Sequence, residues 1–273
     1  MTANLSDALK KAAEMRKENL SKENLSTDPE FEVKTEFLPE NNTAVAEEIV
    51  ANHIDPRVIA YYNGNGKIVE EYRTLLMHIM SLDTTSEIKT LAVTSAHPCE
   101  GKTVTALNLG VVMARNFSKQ TLIVDCNMRS PSVHRFMGIK AEEGLSNILR
   151  DDVPFNVELI QTGVKNLSIL PAGMISSNPS QILASARMQN LLKELRDNFD
   201  YVIFDTPAVM PYADAKILAP LVDGMLLIVK SGGTRREVVQ RVESILTGVQ
   251  SRILGYVLTG VEYHIPEYIH RHL

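Results

Sequence analysis

Positive charge is in short supply in this chain: 28 Lys and Arg face 33 Asp and Glu, a formal net charge of −5. A general affinity for nucleic-acid phosphates is therefore not expected. Cysteine is scarce as well. Cys99 and Cys126 are far apart and lack CxxC spacing, which argues against a disulfide or a zinc site and for a reduced, cytosolic setting. Long apolar runs are missing: the richest, Gly224-Met225-Leu226-Leu227-Ile228-Val229, has the length of a strand. Crossing a bilayer takes roughly 20 apolar residues. The first 24 residues are charged throughout and hold no apolar signal-peptide core. A soluble protein is expected, free to dock onto a membrane protein.

What is present suffices for one sizeable core and an extended arm: 273 residues, 44% hydrophobic and 22% charged. Residues 1–55 stand apart. Leu5, Ala8, Leu9, Ala12 and Met15 recur at helical spacing, and Glu, Asn, Thr and Pro then dominate residues 19–42. That segment reads as a helix followed by a flexible linker, either a docking arm or a solvated tail. Residues 56–273 read as one domain. A helix is expected over 67–81, with Ile68, Tyr72, Leu75, Leu76 and Ile79 as its apolar stripe. Strand-like runs at 90–94, 121–124, 167–170, 201–204, 225–229 and 253–257 then alternate with helical patterns at 102–116, 144–150, 185–198, 213–219 and 234–248. Strands that are apolar on both faces, alternating with helices, indicate an α/β fold: a mainly parallel twisted sheet with helices on both faces. Ligands in such sheets bind beyond the carboxyl ends of the strands, where Ser95, Asp125 and Asp205 stand.

Between the first strand and its helix lies Ala96-His97-Pro98-Cys99-Glu100-Gly101-Lys102-Thr103. It matches GxxxxGK(S/T) except that Ala96 takes the place of the first Gly. Such a loop turns backbone N–H groups toward phosphate oxygens, and the helix behind it offers its positive end. Lys102 would neutralise the β- and γ-phosphates of ATP and the Thr103 hydroxyl would ligate Mg²⁺. Ala96, His97, Pro98, Cys99, Glu100, Gly101, Lys102, Thr103 and Val104 are the expected nucleotide contacts, and the domain is expected to be a P-loop NTPase. Cys99 takes a position where Gly would be freer. A dinucleotide-binding dehydrogenase is excluded, since no GxGxxG follows the first strand.

Two further strands end in carboxylates. Tyr201-Val202-Ile203-Phe204-Asp205-Thr206-Pro207 has the Walker B form, which brings Asp205 to the metal directly or through water. Thr121-Leu122-Ile123-Val124-Asp125-Cys126-Asn127-Met128-Arg129 has the same shape, and nucleotide binding alone does not require it. A second strand-end acid followed by Arg129 suits a site that also positions, or deprotonates, an incoming nucleophile.

Together these segments resemble the bacterial tyrosine kinases (BY-kinases) of polysaccharide assembly, the CpsD/CapB/Wzc-type cytoplasmic domains. The Walker A form SxxPGEGK(S/T) corresponds to residues 95–103, and the Walker A′ form hhhDxDxRxP to residues 123–131. Val202 to Pro207 resembles the Walker B segment, and Gly144-Leu145-Ser146, Leu170-Pro171-Ala172-Gly173 and Asp214-Ala215 agree as well. The likeness runs over residues 55–261. It implies an ATP-dependent protein-tyrosine autokinase that regulates exopolysaccharide or capsule synthesis and export. Lys102, Asp125 and Asp205 would be catalytic; Thr103, Asp125 and Asp205 would hold Mg²⁺; Arg129 would join the nucleotide contacts. Asp125 would serve as base or as metal-side orienter. The implied partner is a separate membrane-spanning polysaccharide co-polymerase, which would hold this chain at the inner face of the membrane.

Departures from the family pattern are specific. Asn127 replaces the second Walker A′ acid. The ring-forming ExxRxxR helix keeps Glu70 and Arg73, the candidate self-association contacts, but has Leu76 for its second Arg. The tail offers only Tyr263 and Tyr268 as acceptors. These departures keep open an alternative, an ATP-binding regulatory switch of MinD/ParA type. The extra lysine usual near the start of the loop in those ATPases is missing, since Ala96-His97 stands there.

Overall fold

The computed structural model describes residues 54–82, 88–141, 143–150, 159–175 and 177–261. The expected N-terminal helix and linker, and both tail tyrosines, lie outside the described residues. The elements run α1 (Ile59–Tyr62), α2 (Lys67–Ser81), β1 (Thr90–Ser95), α3 (Lys102–Asn116), β2 (Thr121–Asp125), α4 (Val133–Phe136) and α5 (Leu145–Ile148). They continue with β3 (Ile160–Gln161), β4 (Leu167–Leu170), α6 (Pro179–Leu183), α7 (Ala186–Asn198) and β5 (Tyr201–Asp205). Last come α8 (Asp214–Leu218), β6 (Gly224–Lys230), α9 (Arg236–Gly248) and β7 (Ile253–Thr259).

The seven strands lie in the order β3-β4-β2-β5-β1-β6-β7. All neighbours pair in parallel except the two-residue β3, which runs antiparallel along the edge of β4. The apolar strands are buried on both faces, and their side chains divide by parity, because successive residues point to opposite sides of a pleated sheet. Ala92, Leu122, Val124, Val202, Phe204, Met225 and Leu227 pack into one core with Leu191 and Leu195 of α7 and Val242 and Leu246 of α9. Leu91, Val93, Ile123, Ile203, Leu226 and Ile228 face the other, with Leu107, Val111 and the rest of α3. The two cores account for the continuous apolar strand sequences.

Local chemistry sets the ends of several elements. Ser185 precedes α7 in extended conformation, and its side chain accepts from the Met188 N–H, capping the helix. α3 begins at Gly101, whose φ of 98° lies in the left-handed region. A Cβ there would sit 3.3 Å from the Thr259 side chain, so glycine is needed for both conformation and space. α3 is buried on nearly all sides, which explains its weakly amphipathic sequence. α2 and α1 lie against its outer surface.

The stripe of α2 differs from the expected one at its first residue, while Tyr72, Leu75, Leu76 and Ile79 pack as expected. Val69, Leu76 and Ile79 are its buried residues, and Ile68 is 46% exposed. Val69, Tyr72, Leu76 and Ile79 follow the 3-4-3 helical spacing, whereas including Ile68 widened the stripe past the contact with α3. Arg73, beside this face, is held within its own chain. It donates to Glu70 Oε2 at 2.7 Å and to the Gly64 carbonyl at 2.6 Å.

Candidate functional site

β2, β5 and β1 are adjacent, so their carboxyl ends deliver three groups to one crevice. Asp125 and Asp205 are partners in register across β2 and β5. The loop leaving β1 runs alongside them into α3.

The loop is braced from within and from behind. Ser95 Oγ donates to the His97 carbonyl at 2.6 Å, and Lys102 Nζ returns across the loop to Ser95 Oγ at 3.0 Å. Lys102 is 8% exposed. Burial pulls its ammonium below the usual lysine range, while the charges of Asp205 and Glu100 oppose that shift. Glu100, expected as a nucleotide contact, is turned inward: its carboxylate accepts from the His97 N–H at 3.1 Å and from the Thr234 hydroxyl. Thr259, on the last strand, donates to the Glu100 carbonyl at 2.7 Å. Cys99 adopts φ 62°, the left-handed conformation that explains why glycine would be freer there. It is exposed and Cys126 is buried, and both thiols are free.

Behind the loop lies the carboxylate pair. Thr103 Oγ1 donates to Asp205 Oδ2 at 2.6 Å, and Ser132 Oγ lies 3.1 Å from the same threonine oxygen. Asp205 Oδ1 is buried without any hydrogen-bond partner among the described residues. Leaving a carboxylate oxygen unpaired and dry is costly, so a cation is the natural occupant of that spot. A threonine hydroxyl with one carboxylate is also the donor set that Mg²⁺ takes beside substrate phosphates. These residues therefore fit the ion. Burial first, and then the neighbouring Asp125 charge, raise Asp205 far above the usual carboxylate range, against the pull of Thr103 and Lys102.

Asp125 is completely enclosed. Oδ1 accepts from the Asn127 N–H at 3.0 Å, and Oδ2 accepts from Ser132 at 3.0 Å and Val133 at 3.1 Å. Burial raises its pKa, and those three N–H groups and the Arg135 charge hold it down. Asn127 folds over its own turn, its Oδ1 accepting from the Ser130 N–H at 3.2 Å. Arg129 is pinned: Nε and Nη2 donate to the fully buried Asp214 at 2.8 and 3.2 Å, and Nη2 reaches Ser180 Oγ at 3.1 Å. Its guanidinium also covers the Tyr212 ring, 4.6 Å from the centroid.

A cavity of about 410 Å³ opens over these groups, lined by Lys102, Thr103, Asn127, Arg129 and Ser132 among others. The structure thus brings together the expected Pro98, Cys99, Gly101, Lys102, Thr103, Val104 and Arg129. Sequence reading missed Ser132, Arg135, Phe136 and Tyr212, which also line it. Ser132 follows Asp125 by seven positions on an irregular loop, and a residue there carries no periodic signal.

A basic residue at the start of a helix, a hydroxyl bonded to a strand-end carboxylate and a parallel sheet behind them define a P-loop nucleotide-binding domain. The comparisons narrow the class. The family model described as an AAA domain matches residues 88–232. The tyrosine-protein kinase YwqD of Bacillus subtilis is 35% identical over 191 residues, 70% of this chain and 80% of that protein. The succinoglycan biosynthesis transport protein ExoP of Rhizobium meliloti is 33% identical over 180 residues, 65% of this chain and 23% of that one. Among solved structures, the kinase domain of the Escherichia coli tyrosine kinase ETK superposes with a TM-score of 0.71 at 27% identity, covering 77% of this chain and 82% of that one. The chain belongs to the bacterial tyrosine kinase family, and a kinase is what its relatives are named.

Proposed function

We propose that this protein transfers the γ-phosphoryl group of ATP to tyrosine, its own included, and regulates exopolysaccharide synthesis and export. The observation that carries this reading is the Thr103–Asp205 pair with its unpaired oxygen, set beside Lys102 at the mouth of the phosphate loop.

The residues divide the work. Backbone N–H groups around Gly101 and the N-terminus of α3 hold the phosphates, and Lys102 leaves Ser95 to neutralise the β- and γ-oxygens. Thr103 and Asp205 would hold Mg²⁺, which when bound would supply further charge neutralisation. Asp125 acts as orienter rather than base. Its oxygens already accept three backbone N–H bonds, and these fix the loop carrying Ser132 and Arg129. Phosphoryl transfer through a loose transition state asks chiefly for such positioning, so an orienting carboxylate suffices. The polysaccharide link and a membrane co-polymerase partner are supported by the family resemblance and by the likeness to ExoP. No helix among the described residues is long and apolar enough to cross a membrane. Attachment at the membrane would then come through that partner. Glu70 and Arg73 are proposed as self-association contacts, though each already has its partner within the chain.

Incubating the full chain with Mg-ATP, with and without the partner's activating segment, and probing for phosphotyrosine tests the proposal. Labelling of the wild type and none of Lys102→Met is expected; equal labelling of both overturns it. A second reading, an ATP-driven binding switch, is favoured by one observation: Asn127 turns to Ser130 and adds no charge to the site. Tight Mg-ATP binding without phosphotyrosine at any protein concentration would select it.

A further inference from the structure

Four cations line the cavity beside the phosphate loop, Arg57, Lys102, Arg129 and Arg135, and they are held very differently. Lys102 belongs to the β- and γ-phosphates. Arg57 pairs with Asp55 at the surface, its side chain 66% exposed, so water and salt weaken that hold. Arg135 is exposed. Of the three arginines, Arg129 alone is anchored by a carboxylate that solvent does not reach, the fully buried Asp214. The way the anchor grips decides what is left over. A guanidinium carries five N–H donors in a fixed fork. Nε and Nη2 of Arg129 donate to the two Asp214 oxygens at 2.8 and 3.2 Å, and Nη2 also reaches Ser180 Oγ at 3.1 Å. Ser180 gives its own hydroxyl proton to Asp214 Oδ1, which closes a triangle. The Tyr212 ring lies against the guanidinium, 4.6 Å from centroid to carbon. That leaves Nη1, whose donors make no hydrogen bond among the described residues, on a side chain that lines the cavity.

The anchor and the phosphate loop share one frame. Between Asp205 and Asp214 the chain is bonded back onto β1 and the loop. Thr206 Oγ1 donates to the Val93 carbonyl, the Val209 N–H to the Ser95 carbonyl at 2.9 Å, and the Met210 N–H to the Ala96 carbonyl at 3.3 Å. The backbone of Arg129 is fixed as well, because Asp125 accepts N–H bonds on either side of it, from Asn127 and Ser132. Ser132 in turn sets its hydroxyl 3.1 Å from that of Thr103. Arg129 is therefore placed relative to Lys102 and Thr103 before any ligand arrives. A charge fixed in advance stabilises a transition state strongly, since nothing has to reorganise as charge develops.

We propose, resting on the kinase reading, that Arg129 is a catalytic residue whose open Nη1 edge contacts the γ-phosphoryl group in flight, and that Asp214 and Ser180 are the positioning residues that aim it. In the step, the tyrosyl oxygen bonds to the γ-phosphorus, the bond to the β,γ-bridging oxygen breaks, ADP leaves, and the phenolic proton passes to solvent. The charge on the equatorial γ-oxygens is what the free edge of Arg129 meets. ADP has no γ-phosphoryl group, so its binding does not use Arg129.

The test measures two affinities of the full chain by calorimetry, for Mg-ADP alone and for Mg-ADP with aluminium fluoride, which stands in for the phosphoryl group in flight. Phosphotyrosine formation is followed alongside. Arg129→Lys keeps the ion pair with Asp214 and removes the second edge. It is expected to lower kcat and fluoroaluminate affinity by about a hundredfold each, with KM for ATP and Mg-ADP affinity within about twofold. The unchanged Mg-ADP affinity also certifies the fold. Asp214→Asn, which leaves Arg129 mis-aimed, should show the same split with a fall of about tenfold. Guanidinium ion added to Arg129→Ala should restore part of kcat, and should fail to do so when Asp214→Asn is combined with it. Fluoroaluminate that does not tighten binding in the wild type, or that binds Arg129→Lys as well as the wild type, overturns the proposal. An equal loss of both affinities overturns it too, because Arg129 would then serve nucleotide binding or the fold. Rescue that is indifferent to Asp214 removes its positioning role. If the wild type forms no phosphotyrosine the kinase reading falls, and the fluoroaluminate comparison still decides what Arg129 does.

Discussion

Asp205 shows how a single side chain can be held in place at the expense of stability. It is buried against a second carboxylate, and one of its oxygens has no partner among the described residues. In the metal-free protein that arrangement is unfavourable for both charges. Asp205→Asn removes the repulsion and keeps an oxygen for Thr103. We expect it to raise the melting temperature in EDTA by about 2–4 °C, corresponding to about 1 kcal/mol in a domain of this size. The same variant should lose the stabilisation that Mg-ADP gives the wild type, since that gain scales with affinity. Scanning calorimetry in EDTA and in Mg-ADP reads both, and a lowered melting point in EDTA would refute the like-charge account. The meeting of Lys102, Thr103 and Asp205 in one crevice was legible in the sequence because local rules place them: a strand, a fixed spacing, a helix start. The roles of Arg129 and Glu100 were not legible. Their partners Asp214 and Thr234 lie 85 and 134 residues away, and no local pattern announces such pairings.

At the scale of elements, the fold was readable where periodicity was strong. The parallel strands and α3 fall where alternating apolar runs and a long helical pattern placed them. Short pieces escaped: α1, α4 and α6 have four or five residues each, too few for a period, and β3 has two. α2 was found, with its buried face misjudged by one residue. That face decides what Leu76 does. At 0% exposure it is a core residue against α3, so the position where relatives of this family place a second arginine here points inward. Leu76→Ala should cost about 2–5 kcal/mol, as deletions of buried leucine do. Arg at the same place should cost at least as much, because a lone charge would enter the core. Ile68→Arg, on the exposed side, should stay within about 0.5 kcal/mol. Urea titrations of the three variants give the comparison. If Leu76→Arg were as stable as the wild type, the helix would have to be able to turn that face outward.

Across the whole molecule, the two cores make the sheet a rigid plate, and the site sits on its carboxyl edge where three strands meet. The phosphate loop is tied to both halves of that plate. Lys102 and Thr103 connect it to β1 and β5, and Glu100 connects it to the segment after β6 and to β7. Mg-ADP binding should therefore slow amide hydrogen exchange in residues 253–259 as well as in the loop. Thr259→Val should confine the protection to the loop. Exchange measured by mass spectrometry checks this, and unchanged rates in β7 of the wild type would show that the edge strand does not sense the ligand.

The hydroxyl of Thr259 stands two residues before the end of the described chain and holds the carbonyl of Glu100. One bond thus separates the root of the tyrosine-bearing tail from the pocket that receives phosphate. A tail drawn taut by a binding partner, or freighted with phosphate of its own, would tug on the grip that holds ADP. By reciprocity an occupied grip would resist the pull, so product release and the fate of the tail become two readings of the same equilibrium.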